Sequence, residues 1–139
     1  MTCYFLDTHI VYWLISNNSK LNENLRYDIL YPSGNHYVIS EFVILELIHL
    51  CQLGKISIPG GVKDIFDSLS SMNIDIEPTT QKVFDSLEKL PILTVNNNRH
   101  TEMIDRVIIA SCIAYKYTMI SHDLKFPHYR EYGLKLLEA

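Results

Sequence analysis

The sequence predicts an α/β protein, a three-layer α/β/α sandwich around a parallel sheet. Three observations point there. The short runs "CYFL", "HYVIS" and "YTMIS" are apolar at nearly every position, as strands covered on both faces are. Each is followed by a longer segment of helical period. Strands that alternate with helices imply right-handed crossovers, and hence a parallel sheet between two helical layers.

In chain order, residues 3–7 read as the first strand, and Thr8 as the cap of a helix running to about Ser16, with "NNS" as the break. Ser19 is expected to cap a second helix through about Leu30, which "YPSG" stops. Residues 36–40 form the second strand, Ser40 caps "EFVILELIHLCQL", and Gly54 ends that helix. An amphipathic helix over 62–71 precedes the short strand "IDIEP", and Thr79 or Thr80 opens the helix "TTQKVFDSLEKL". Pro91 comes after that helix and "NNNRH" reads as a loop. Residues 101–116 form the most apolar helix, "YTMIS" is a strand, and "LKLL" is a last strand.

The 139 residues are expected to make a single domain, 1–139, long enough for a real core. No apolar run approaches the roughly 20 residues of a membrane span, and the opening lacks the basic start of a secretory signal, so a cytoplasmic protein is expected. Cys3, Cys51 and Cys112 are odd in number, widely spaced and set among apolar neighbours, which fits reduced core thiols rather than a disulfide frame or a zinc knuckle. The net charge of −4 is unusual for a nucleic-acid binder. It is also uneven: residues 1–78 hold four Lys/Arg against nine Asp/Glu, giving −5, and residues 79–139 hold eight against seven, giving +1.

The acids carry the chemistry. In parallel sheets ligands gather outside the carboxyl ends of the strands. Asp7 ends the first strand, Glu46 lies in the second turn of the helix after the second strand, and Asp123 follows "YTMIS" by one residue. Glu102 and Asp105, three apart, share one face of the last long helix. Topology therefore sends acids from four distant segments to one sheet edge. Each alone has a structural explanation as a helix-start or turn residue. Together they do not, since two carboxylates about 5 Å apart repel by roughly 3 kcal/mol at an effective dielectric of about 20. A cation relieves that repulsion, and all-oxygen ligands select Mg²⁺ or Mn²⁺. Such a centre suits attack of activated water on a phosphodiester.

The same residues resemble the PIN-domain ribonucleases, and among them the VapC-type toxins of bacterial toxin–antitoxin pairs. "YFLDTHIVYWL" is similar to the family's opening, an Asp-ended strand followed by Thr-His and an apolar helix. "VISEFVILELIHLCQLGKISIP" resembles its second block, with an acid six residues after the Ser. "HTEMIDRVIIASCIA" is similar to its Asp-Pro-Phe-Asp-Arg helix start, with Glu102-Met103-Ile104 where Asp-Pro-Phe is common, and "YTMISHDLKF" to its strand ending in Thr-x-Asp, with Ser121 for the Thr. Leu50 stands where the toxins often carry Lys. The resemblance spans about Cys3 to Leu137. It implies that Asp7, Glu46, Asp105 and Asp123 bind the metal and act in catalysis, that RNA is the substrate, that an antitoxin docks beside the acids, and that the chain forms a homodimer.

The remaining candidates are basic or aromatic. Arg99, His100, Arg106, Lys125, His128 and Arg130 are expected either to line a path for an RNA backbone or to be solvated surface charges. His49 reads as a packed residue, His122 as a surface or phosphate contact, and His9 as standing behind the acids. Tyr12 and Trp13, adjacent on one helix, leave an aromatic edge for a protein partner. The leading expectation is a divalent-metal-dependent endoribonuclease. The alternatives are a catalytically silent binding module for protein or RNA, a non-toxin RNA-processing nuclease, and a phosphohydrolase with Asp7 as nucleophile. The last is disfavoured because His9 stands where a second Asp is needed.

Overall fold

The computed structural model describes residues 1–31 and 34–139. Its main sheet has five parallel strands in the order β3-β2-β1-β6-β7, formed by β1 (Cys3–Leu6), β2 (His36–Ser40), β3 (Asp75–Glu77), β6 (Thr118–Ser121) and β7 (Lys135–Glu138). Helices α1 (Thr8–Ile15), α2 (Glu23–Leu30), α3 (Glu41–Gln52), α4 (Gly61–Ser71), α5 (Gln81–Lys89) and α6 (Met103–Tyr115) join them, and a 3₁₀ helix spans Phe126–Tyr132. This is the α/β/α arrangement expected from the sequence.

The reason is visible at the sheet centre. Phe5 lies in register with Val38 on one side and Met119 on the other, and Leu6 with Ile120. All five side chains are fully buried, so these strands are covered on both faces. Helix α6 is buried over the whole run Val107–Cys112 and packs against both α3 and α5. A helix apolar on nearly all sides has to lie inside, and this one does.

Three local expectations need correction. Asp7, not Thr8, caps α1: its Oδ1 accepts from the Thr8 N–H at 2.7 Å, while the Thr8 hydroxyl is buried. Helix α2 begins four residues after Ser19, with Asn22 as its cap, because the Asn22 side chain accepts from Asn24 and Leu25 at 2.9 and 3.2 Å. The "NNNRH" stretch is no plain loop. It turns a hairpin between β4 (Thr94–Val95) and β5 (Asn98–Arg99), with Asn96 at φ 52° and Asn97 at φ 65°. Two successive left-handed residues are what the tightest hairpins require, and Asn tolerates that conformation. The "YPSG" break falls partly on residues 32 and 33, outside the described residues.

The Ser40 cap stands as expected, its Oγ accepting from the Phe42 N–H at 3.1 Å, and Gly54 comes just after α3 at φ 74°. All three cysteines are free, but only Cys112 is a core thiol; Cys3 and Cys51 are half-buried rather than in the core. No helix among the described residues is long and apolar enough to cross a membrane.

The path of the chain sets the position of the acids. From β1 it runs outward through β2 and β3, then returns to place β6 on the other side of β1. The crevice at the carboxyl ends of β1 and β6 is thus the switch point of the sheet. Helix α3 must hold its register for Glu46 to face that crevice, and a pair of substitutions reads that register. Leu47→Ala, at a fully buried position, is expected to cost about 2–5 kcal/mol in urea melts. Leu45→Ala, two residues away and half exposed, should change stability by no more than about 0.5 kcal/mol.

Candidate active site

Asp7 sits where β1 meets α1, and its backbone N–H donates to the Ile120 carbonyl of β6 at 3.1 Å. Its carboxylate is almost wholly buried. Oδ1 caps α1 and Oδ2 accepts from the Ser121 hydroxyl at 2.7 Å. Ser121 Oγ in turn accepts from the Asp123 N–H at 3.0 Å, so one hydroxyl links the acids at the ends of β1 and β6. Asp123 closes its own turn, Oδ1 accepting from the Lys125 N–H at 2.8 Å.

Asp105 lies in the first turn of α6, mostly buried. Burial pushes its carboxyl up to about 7, and the charges of Glu46 and Asp123 add to that shift. Asp7 is also pushed up to about 7, chiefly by burial, and further by Asp105 and Asp123 against the opposing bonds from Ser121 and Thr8. The four sequence-predicted acids are therefore one electrostatic group: Asp7, Asp105 and Asp123 act on one another, and Glu46 joins through Asp105.

A tighter cluster stands beside them. His100 Nε2 lies 3.2 Å from Asp105 Oδ2 and 3.3 Å from Glu102 Oε2, and the three residues offer ligand atoms all within 4.8 Å of one another. The four predicted acids do not close up this far as a set; His100 and Glu102 are the nearer companions of Asp105. The only cation bridging the acids among the described residues is Lys125, whose Nζ lies 3.6 Å from Glu102 Oε1 and 3.7 Å from Asp123 Oδ2.

The expectation that His100 lines an open RNA path is overturned, since its side chain has no exposed surface. The hairpin delivers it inward, with the His100 backbone N–H donating to the Leu93 carbonyl at 2.7 Å. Its Nδ1 lies 2.5 Å from the Tyr129 hydroxyl. Burial pushes the imidazole below its ordinary value, so the ring is neutral and carries one N–H. Glu102, held below the usual carboxylate range first by a backbone hydrogen bond and then by His100 and Lys125, is ionised and only accepts. The N–H must therefore sit on Nε2, and Tyr129 donates to Nδ1. His100 is a donor that orients Glu102 and Asp105, not a bare nitrogen aimed at a cation. Its spacing from Glu102 and Asp105, two and five residues, is the one signal in the sequence for this cluster.

Arg106 also leaves the expected RNA path: its guanidinium donates to the Leu90 carbonyl at 2.7 Å. Arg130 pairs with Glu138 at 3.2 Å. Arg99 and His128 remain exposed, and His49 is exposed rather than packed. Trp13 is buried rather than offered as an edge, and Tyr12 is half-buried with its hydroxyl accepting from Ser57 N–H at 3.5 Å.

The residues fit a hard divalent cation. Five carboxylates stand against one lysine, and two of the carboxyls are raised, first by burial and further by the neighbouring acids.

The sequence matches the PIN domain family over residues 4–132. No curated protein matches it. Among solved structures, a chain of VapBC2 from Rickettsia felis, bound to a DNA fragment from the promoter, superposes with a TM-score of 0.70 at 22% identity, covering 99% of this chain and 98% of that one. VapBC-1 from nontypeable Haemophilus influenzae gives 0.71 at 20%, with the same coverages. VapBC-5 of Mycobacterium tuberculosis, from the VapBC family of toxin-antitoxin systems, gives 0.65 at 15%, covering all of both chains. At these identities the likeness establishes a shared fold.

The raised Asp7 carboxyl has a stability consequence. It keeps its proton to about 7 in the folded chain and loses it near 3.8 when unfolded, so the folded state binds more protons between those values. Stability from this group is therefore lost as pH rises from 3.8 to about 7. Asp7→Asn cannot ionise. In EDTA its melting temperature should gain on that of the unmodified chain across that window and level off above it. His100 contributes the opposite slope but is present in both proteins. A difference in melting temperature independent of pH would refute the assignment.

Proposed function

The chain belongs to the PIN domain family, and we propose that it is a Mg²⁺- or Mn²⁺-dependent endoribonuclease, the toxin of a type II toxin–antitoxin pair. The observation that carries this reading is the mutual repulsion of Asp7 and Asp105 with Glu46 and Asp123 at the switch point, strong enough to help hold two carboxyls near neutrality. A fold keeps such a cluster at a cost in stability, and a bound cation offsets it.

In this reading Asp7, Asp105 and Asp123 hold the ion, and Glu46 either holds it or takes the proton of the attacking water. A divalent ion bound there supplies positive charge to the phosphodiester and acidifies water. The protein's own residues do the rest. Ser121 and the α1 N-terminus fix the Asp7 carboxylate, so its lone pairs face one way. His100, oriented by Tyr129, holds Asp105 and Glu102. Lys125, half exposed between Glu102 and Asp123, is placed to turn toward a phosphate once a cation takes over its partners. Products carrying a 5′-phosphate and a 3′-hydroxyl are expected.

The wider setting rests on the same reading. The structural neighbours are described as VapBC assemblies and toxin–antitoxin complexes, which supports a cognate antitoxin as partner. A homodimer acting in the cytoplasm is proposed with it.

RNA cleavage tests the mechanism. The unmodified chain should cut RNA with Mg²⁺ or Mn²⁺, and EDTA or Asp105→Asn should slow it by about 100-fold or more. Equal rates in all three conditions would remove the metal mechanism. Independently of activity, Mn²⁺ at about 100 times its dissociation constant should add about 2.7 kcal/mol of stability to the unmodified chain. Asp105→Asn should lose most of that gain.

A further inference from the structure

Trp13 and the two histidines near it remain outside the chemistry above. Trp13, on α1, is buried to 7% exposure, yet its indole meets two exposed imidazoles edge-on. The His122 ring lies 5.4 Å away at 63°, and the His9 ring 6.3 Å away at 61°. These three side chains and Asp123 line a cleft of about 180 Å³. The cleft is smaller than the roughly 300 Å³ at which drug-sized ligand pockets begin. It suits one flat ring system.

The His122 ring is not free to swing. Its Nδ1–H donates to the Ala139 carbonyl oxygen at 2.6 Å, because a carbonyl only accepts. Its Nε2 carries no hydrogen bond among the described residues. The cleft thus offers aromatic walls, one ring nitrogen held in a fixed direction, and an acid at its rim that repels anions. A phosphate is a poor occupant. A neutral heteroaromatic ring is a good one.

Asp123 is shared between this cleft and the acid centre. We propose that the cleft between His9, Trp13 and His122 is a nucleobase subsite. It takes one unpaired base of a single-stranded RNA whose phosphate lies at the neighbouring acids. The inference deepens the nuclease reading and rests on it. A base there stacks on the imidazoles and fixes which phosphate reaches the acids. Stacking of this kind tolerates every base, so modest sequence preference is expected, set by stacking strength.

Trp13 is the single tryptophan of the chain, so its fluorescence reports the cleft alone. The unmodified chain in EDTA is titrated with free nucleosides, which bear no phosphate and cannot be cut, and with ribose as control. Saturable quenching by nucleosides and none by ribose is expected. It should be lost in His9→Ala/His122→Ala, whose replaced side chains are exposed and whose fold circular dichroism checks. In the metal-loaded chain the same double substitution should raise KM for RNA about tenfold with kcat little changed, the loss of one stacked base. Absence of saturable quenching, equal quenching by ribose, or an unaltered KM would overturn the subsite. RNA cleavage without any nucleoside response refutes the subsite and leaves the nuclease standing. A saturable nucleoside response in a chain that cuts no RNA supports the subsite and refutes the nuclease.

Discussion

Carboxylates from the end of β1, α3, α6 and the turn after β6 act on one another at the switch point of a sheet whose central strands are fully buried, so like charge is held where it is least welcome. Burial removes the water that would screen Asp7 and Asp105, and the neighbouring acids raise the proton affinity of these two further. An apolar replacement would relieve that cost and stabilise the chain. The arrangement makes physical sense as a cation site and is hard to justify on stability alone.

The local architecture serves that site. Asp7 is almost out of solvent, and both its oxygens are engaged, by the first N–H of α1 and by Ser121. These bonds favour the ionised form, while burial and the neighbouring acids oppose it, and the opposition wins. Lys125 bridges Glu102 and Asp123 on the exposed side, where an ammonium keeps part of its hydration. The centre is thus graded, with the buried carboxyls of Asp7 and Asp105 inside and a lysine at the rim. His100 stands between the two regions, its tautomer dictated by the ionised Glu102 on one side and by Tyr129 on the other.

Much of this is legible in the amino-acid sequence. The runs around Phe5, Val38 and Met119 are apolar on both faces, which only a covered parallel sheet explains. Strand ends and helix starts then assign Asp7, Glu46, Asp105 and Asp123 to one edge. The departures share one cause, that a sequence shows chemistry but not direction. Thr8 reads as the cap in place of Asp7 because either side chain can accept from an N–H, and only the fold says which of two neighbours turns toward it. Asn96 and Asn97 read as loop because Asn–Asn is a weaker turn signal than Asn–Gly. His100 and Arg106 read as surface cations because their partners, Tyr129 and the Leu90 carbonyl, lie 29 and 16 residues away.

The alternation of strands and helices, hence the parallel sheet, hence the edge at which the acids collect, are all written in the order of the residues. They arise from periodicity and the handedness of crossovers, which act over a few residues or are set by chirality. Tertiary packing alone raises Asp7 and Asp105 to about 7, makes His100 a buried donor, and sets Trp13 as the floor of a cleft between two imidazoles. Desolvation, mutual charge and ring packing depend on distances between segments as far apart as Asp7 and Ser121. Chain order leaves those distances open until the sheet closes them.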